Sequence, residues 1–221
     1  MTYQWRFDVA WENLPLLLSG LGMTCLLTVL AMAIGIAGGL VLALMRLAPL
    51  RVLSWPAYAF TELFRTTPLL VQVVWVFSVL PLTIGLTLSP FFSGLVALGL
   101  NVAAFMSEVF RAGITSLSIG QFHAGYALGM TKAQCMRRIV LPQAALRTVP
   151  PMAGMWVALF KDTSVLAVIG VAEMMTQARI IAADTYRPLE IYTLVAVVYF
   201  LLTFPQSLGA QYLFERFRTK E

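Results

Sequence analysis

Few side chains in this sequence are able to do chemistry: among 221 residues there are 15 Lys or Arg, 10 Asp or Glu, one His and two Cys. Lys161 and Asp162 stand side by side inside a run from Thr148 to Gly170 that is otherwise apolar. An ionisable group at such a place costs a few kcal/mol unless it is paired or wetted. Both must therefore face the protein interior or a water-filled path. Adjacent residues on a helix point about 100° apart, so each needs its own partner. Thr163 and Ser164 follow and offer hydroxyls. Two readings stay open for this quartet: it lines a translocation path, or it ties neighbouring helices together.

Two further pairs repeat one tetrapeptide. Glu62 and Arg65, and likewise Glu108 and Arg111, are spaced i,i+3 within Glu-x-Phe-Arg, which places each pair on one helix face. Such a pair anchors a helix end at a membrane surface, where long charged side chains reach water; a gating role is the alternative. The third constellation is HAGYALGMTKAQCMRRIVLP, residues 123 to 142, which holds His123, Lys132, Arg137 and Arg138 and no acid.

None of these makes a catalytic centre. One histidine and scattered acids supply no nucleophile and base, and Cys25, Cys135 and His123 do not form a metal-binding cluster. A phosphate-binding GxxxxGK[ST] loop is missing, the nearest approach being Gly129-Met-Thr-Lys132. The sequence predicts no bound metal or cofactor and no ATP hydrolysis by this chain. Its pI of 9.5 does not point to nucleic acid, because the basic residues are dispersed between greasy stretches.

The elements that position these groups follow from hydropathy. The chain is 60% hydrophobic and 11% charged, with a mean hydropathy of +0.84: an all-α, polytopic membrane protein. Asn13 to Met45 has no charge and predicts a first span. Its length, and Asp8 and Glu12 after Arg6, argue against a cleaved signal. Within it Gly35 and Gly39 form a GxxxG pair suited to close helix approach. Thr66 to Ser107 is also uncharged. Those roughly 42 residues make a helix of about 63 Å, twice the hydrocarbon thickness, so the chain must turn back. Pro81 and Ser89-Pro90 supply the break and predict spans over 66–87 and 91–112. Further spans are expected over 148–170 and 191–214, five in all.

Five crossings put the termini on opposite sides. With the N-terminus outside, Arg46, Arg51, Arg65, Arg111, Lys132, Arg137, Arg138, Arg147, Arg216, Arg218 and Lys220 lie inside, against Arg6, Arg179 and Arg187 outside. That bias fixes the orientation. It gives an outer segment 1–15, a membrane domain 16–214 with a cytoplasmic loop 120–142, and a cytoplasmic tail 215–221. Glu173, Asp184, Arg187 and Glu190 read as solvated charges of an outer loop. The loop 120–142 reads as two short helices outside the membrane. Gly120 ends the preceding turn, Phe122 to Leu128 forms one helix, Gly129 turns, a second helix starts at Thr131, and Pro142 closes it.

The spacing of this loop resembles the EAA loop of ABC-transporter permeases: Glu-Ala-Ala, then Gly, then Ile-x-Leu-Pro at fixed intervals. Here the positions are His123, Ala124, Gly125, Gly129, Ile139, Leu141 and Pro142, with His123 in place of the Glu and Gly125 in place of the second Ala. Tyr58 to Gln72, Glu108-Val-Phe-Arg111-Ala-Gly113, Leu141-Pro-Gln-Ala144 and Lys161-Asp-Thr-Ser164 resemble, in order, the polar amino acid uptake subfamily. The resemblance implies a type I importer (MetI-like) fold and a permease subunit for a polar or charged amino acid. It also implies a loop that couples to separate ATPase subunits carrying ATP-Mg, a second permease, identical or sister, and an extracytoplasmic solute-binding protein. The expected location is a bacterial plasma membrane, the inner one where there are two. The rival is a stand-alone secondary transporter or channel, which leaves the loop spacing a coincidence.

Overall fold

The computed structural model describes residues 3–217; Arg218 and Lys220 of the charge count lie outside them. No strand occurs among the described residues. The helices are α1 (Asp8–Glu12), α2 (Leu14–Leu47), α3 (Arg51–Thr66), α4 (Leu69–Ile84), α5 (Pro90–Thr115), α6 (Ile119–Ala127), α7 (Lys132–Ile169), α8 (Met174–Thr185) and α9 (Pro188–Phe217).

Helices α2, α5, α7 and α9 are each long and apolar enough to cross a bilayer. A fifth crossing requires α3 and α4 to act as one broken span, bent by 108°. The expected span 66–87 is therefore corrected. Its helix starts at Leu69: Pro68 drives Thr67 out of helical geometry, and Pro68 itself is the extended N-cap (ψ 136°). The expected break at Pro81 is absent. Pro81 lies in the first turn after a wide π-type turn, Trp75–Val79, where its missing N–H costs nothing. The chain breaks instead at Gly85, with φ +70°, and resumes at Pro90.

Pro142 does not close the loop either, since α7 runs through it without interruption. The turn Met136–Val140 is π-type. It includes Arg138, whose carbonyl would otherwise clash with the Pro142 ring and lose its donor. The expected fourth span, 148–170, is the later part of this longer helix.

The chain forms two compact units. The first comprises Met1–Ala33, Thr67–Gly99 and Trp156–Ser207. Its core joins Ala10, Leu17, Met174, Ala178, Ile181 and Ile191. Gly20 lets α2 approach α8 closely: a Cβ there would lie 2.8 Å from Met174 Cα. The Met174 N–H donates to Thr24 Oγ1 at 3.3 Å. Two acids read as solvated are buried in this unit, Glu173 and Glu190 both being 0% exposed. Glu173 caps α8, accepting the N–H groups of Met175 at 2.8 Å and Thr176 at 2.6 Å. Burial pushes its carboxyl above the ordinary carboxylate range, and those hydrogen bonds pull against it.

The second unit comprises Ile34–Thr66, Leu100–Met155 and Leu208–Glu221. Here the GxxxG pair is used within the chain: a Cβ on Gly35 would overlap Val102, and one on Gly39 would overlap Met106 and lie 3.0 Å from the Ala103 carbonyl. Gly39→Leu is expected to cost about 1–3 kcal/mol by overpacking, read as a lower unfolding temperature in detergent. Gly22→Leu, on the same helix but with no neighbour within 4 Å, should leave it unchanged.

Candidate functional site

The loop between α5 and α7 is an elbow, and every bend in it has a local cause. Ser118 caps α6, its Oγ accepting the Gly120 N–H at 3.2 Å. Gly120 thus sits in the first turn of α6 and does not end a preceding one; the helix starts at Ile119, ahead of the expected Phe122. At the other end Gly129 has φ +74°. Its N–H donates to the Tyr126 carbonyl at 2.9 Å, and the Met130 N–H donates to the Gly125 carbonyl at 3.1 Å. This pair of bonds is the Schellman closure, which needs a left-handed residue. Thr131 then starts α7 with a capping box: Thr131 Oγ1 accepts the Gln134 N–H at 3.3 Å, and Gln134 Oε1 accepts the Thr131 N–H at 2.9 Å.

The two arms touch where Gly125 meets Cys135. Gly125 is buried, and a Cβ on it would lie 2.8 Å from Cys135 Sγ. Cys135 is fully buried with Ile114, Leu117, Val140 and Ala144, and Ile139 packs on this cluster. The seven loop positions thus divide. Gly125, Gly129 and Ile139 shape the elbow, whereas His123, Ala124, Leu141 and Pro142 are exposed on it. Ile119 and Leu128, 73% and 80% exposed, join that surface. Sequence reasoning passed over both, although apolar residues in a polar loop were a visible signal. A recess of about 520 Å³ lies beside the elbow, lined by Ala133, Gln134, Arg137 and Arg138.

The two Glu-x-Phe-Arg pairs meet in one cluster. Arg65 Nη1 lies 3.3 Å from Glu62 Oε1 and 3.9 Å from Glu108 Oε2. Arg111 donates through Nη2 to Glu108 Oε1 and through Nε to Oε2 at 3.2 Å. Arg46, which the charge pattern at the end of the first span did not single out, donates to Glu108 Oε2 at 2.8 Å, and its side chain is only 9% exposed. One carboxylate from α5 therefore gathers guanidinium groups from α2, α3 and α5. Arg46 also lies over the Tyr58 ring, and Arg65 over that of Phe105.

Lys161 and Asp162 are not brought to partners. Lys161 is exposed and Asp162 half-buried, and neither side chain makes a hydrogen bond or ion pair among the described residues. Thr163 and Ser164 turn their hydroxyls back on their own helix, to the carbonyls of Phe160 at 2.8 Å and Lys161 at 2.7 Å.

Comparison with known proteins decides what this arrangement belongs to. Residues 35–219 match the family described as "Binding-protein-dependent transport system inner membrane component". The chain belongs to that family. It is similar to the glutamine transport system permease protein GlnP of Escherichia coli (strain K12), 35% identical over 201 residues, 90% of this chain and 92% of that one. It is 37% identical to the glutamate/aspartate import permease protein GltK of Escherichia coli O6:H1 over 97% of this chain and 99% of that one. A crystal structure of an amino acid ABC transporter with histidines superposes with a TM-score of 0.91 at 36% identity, covering 97% of this chain and 99% of that chain. As an inner membrane component of a transport system, the chain is a transport subunit without an ATPase site of its own.

Proposed function

We propose that this chain is the permease subunit of an ATP-driven ABC importer that carries a polar or charged amino acid across the bacterial inner membrane. The observation that carries this reading is the elbow: a Schellman turn and a capping box fold the short helix α6 against the start of α7, with apolar side chains left exposed. A bend with an open apolar surface transmits force from a docked partner. That partner is an ABC ATPase, which binds ATP-Mg; this chain binds neither nucleotide nor metal. ATP shifts the conformational equilibrium only through its different affinity for the two states.

The other partners follow from incompleteness. Lys161, exposed without a partner among the described residues, would be costly against lipid. It is accounted for by a water-filled path shared with a second permease, identical or sister. On this reading Lys161, Asp162, Thr163 and Ser164 lie along that path, and Glu62, Arg65, Glu108 and Arg111 join or gate helix ends beside the elbow. An extracytoplasmic solute-binding protein delivers the amino acid. The orientation has support from charge: of the Lys and Arg residues, only Arg6, Lys161, Arg179 and Arg187 fall in the first unit. The basic excess of the second unit favours a cytoplasmic position for its loops and for the C-terminus, with the N-terminus outside.

Reconstitution tests the whole reading. Vesicles holding the permease with the ATPase facing the lumen should accumulate amino acid only with ATP inside and the binding protein outside. Uptake by the permease alone, driven by an ion gradient, would establish the secondary-transporter reading instead.

A further inference from the structure

We propose that residues 3–12 are an anchor for the lipid headgroup region, an aromatic hook that the buried carboxylate of Glu190 latches onto α8 and α9. Glu190 is 0% exposed yet spends both oxygens on this distant segment. Tyr3 donates its hydroxyl to Oε2 at 2.6 Å, and the Arg6 backbone N–H donates to Oε1 at 3.0 Å. Arg187 balances the charge from 3.6 Å, donates to the Gln4 carbonyl at 3.1 Å, and lies over the Tyr3 ring. A second fixing point is Ala10 of α1, buried against Met174, Ala178 and Ile181. A buried carboxylate is expensive to keep for packing alone. Here it holds a specific backbone path.

What that path displays is a row of rings. Tyr3 meets Trp5 edge-on at 5.5 Å, and Trp5 stacks on Phe7 at 5.4 Å with planes 2° apart. Trp5 and Trp11 remain 55% and 62% exposed. Between the rings Arg6 and Asp8 form an exposed ion pair at 2.7 Å. Aromatic rings interleaved with solvated charges are the composition of the membrane–water interface, where indole and phenol groups are each half wet. Lipid is the occupant because the patch leads straight into α2, a helix long and apolar enough to cross a bilayer, whose Leu16 and Leu18 are exposed next to it. A binding protein on the same rings is the competing outcome.

The test is Trp quenching in phosphatidylcholine vesicles brominated either near the headgroup or deep in the acyl chain. The signal of Trp5 and Trp11 is the difference between the full chain and its Trp5→Phe, Trp11→Phe variant. Shallow bromine should quench it more than deep bromine, and Glu190→Ala should lower the shallow quenching roughly twofold. Tyr3→Phe, which removes one hydroxyl and leaves the fold intact, should lower it less. Three results overturn the proposal: quenching by aqueous iodide and by neither lipid, shielding from iodide only when purified binding protein is added, or lipid quenching unchanged in both latch variants.

Discussion

Gly129→Val is expected to separate ATP hydrolysis from amino acid uptake. At φ +74° a β-branched residue is strained by about 1–3 kcal/mol, comparable with the two Schellman bonds that close α6. The chain relieves the strain by opening the turn, and the arm bearing His123 and Ala124 leaves its seat. The fold should survive, because Gly129 is exposed with no neighbour within 4 Å of a Cβ. Uptake into vesicles should fall about tenfold or more while hydrolysis by the bound ATPase persists, consistent with 1.4 kcal/mol per decade. Gly129→Asn, which tolerates the left-handed conformation, should keep both activities coupled. Uptake at the normal rate in the Val variant would show that the elbow does not transmit the motion.

Glu108→Ala should be the more destabilising change. It strands Arg46, nearly buried at 9% exposure, and removes the carboxylate shared with Arg65 and Arg111. Breaking a buried ion pair from one side costs about 3–5 kcal/mol, but Glu108 is itself 26% exposed, so roughly 2–4 kcal/mol is expected. The check is thermal unfolding in detergent, with Glu108→Gln losing less because an amide oxygen still accepts from Arg46. A gating role adds a readout that anchoring alone does not move: hydrolysis in Glu108→Gln, at a temperature where that variant is still folded, that no longer needs the binding protein.

The elbow was largely legible because its determinants are local. Gly129, and Thr131 with Gln134, specify a left-handed stop and a capped start from side-chain chemistry within six residues, which no distant packing overrides. The prolines were misread for the opposite reason. Pro81 and Pro142 look like breaks, yet a π-type turn ahead of each removes the conflict, and hydropathy carries no sign of that extra residue per turn. Glu173 and Glu190 were misread as solvated because charge was taken as exposure. What makes their burial tolerable are the N-terminus of α8 for one, and for the other Tyr3, 187 positions away.

By itself the sequence determined that this is a helical membrane protein, where its uncharged runs lie, and where its loop bends. Each of these depends on transfer free energies or backbone preferences summed over neighbouring residues. Only the tertiary structure decided that Gly35 and Gly39 serve α5, that Gly125 rests on Cys135, and that Arg46 completes the cluster at Glu108. Those contacts depend on which distant surfaces fit at van der Waals distance and which buried charges find a counter-ion. Such complementarity exists only once the helices are packed.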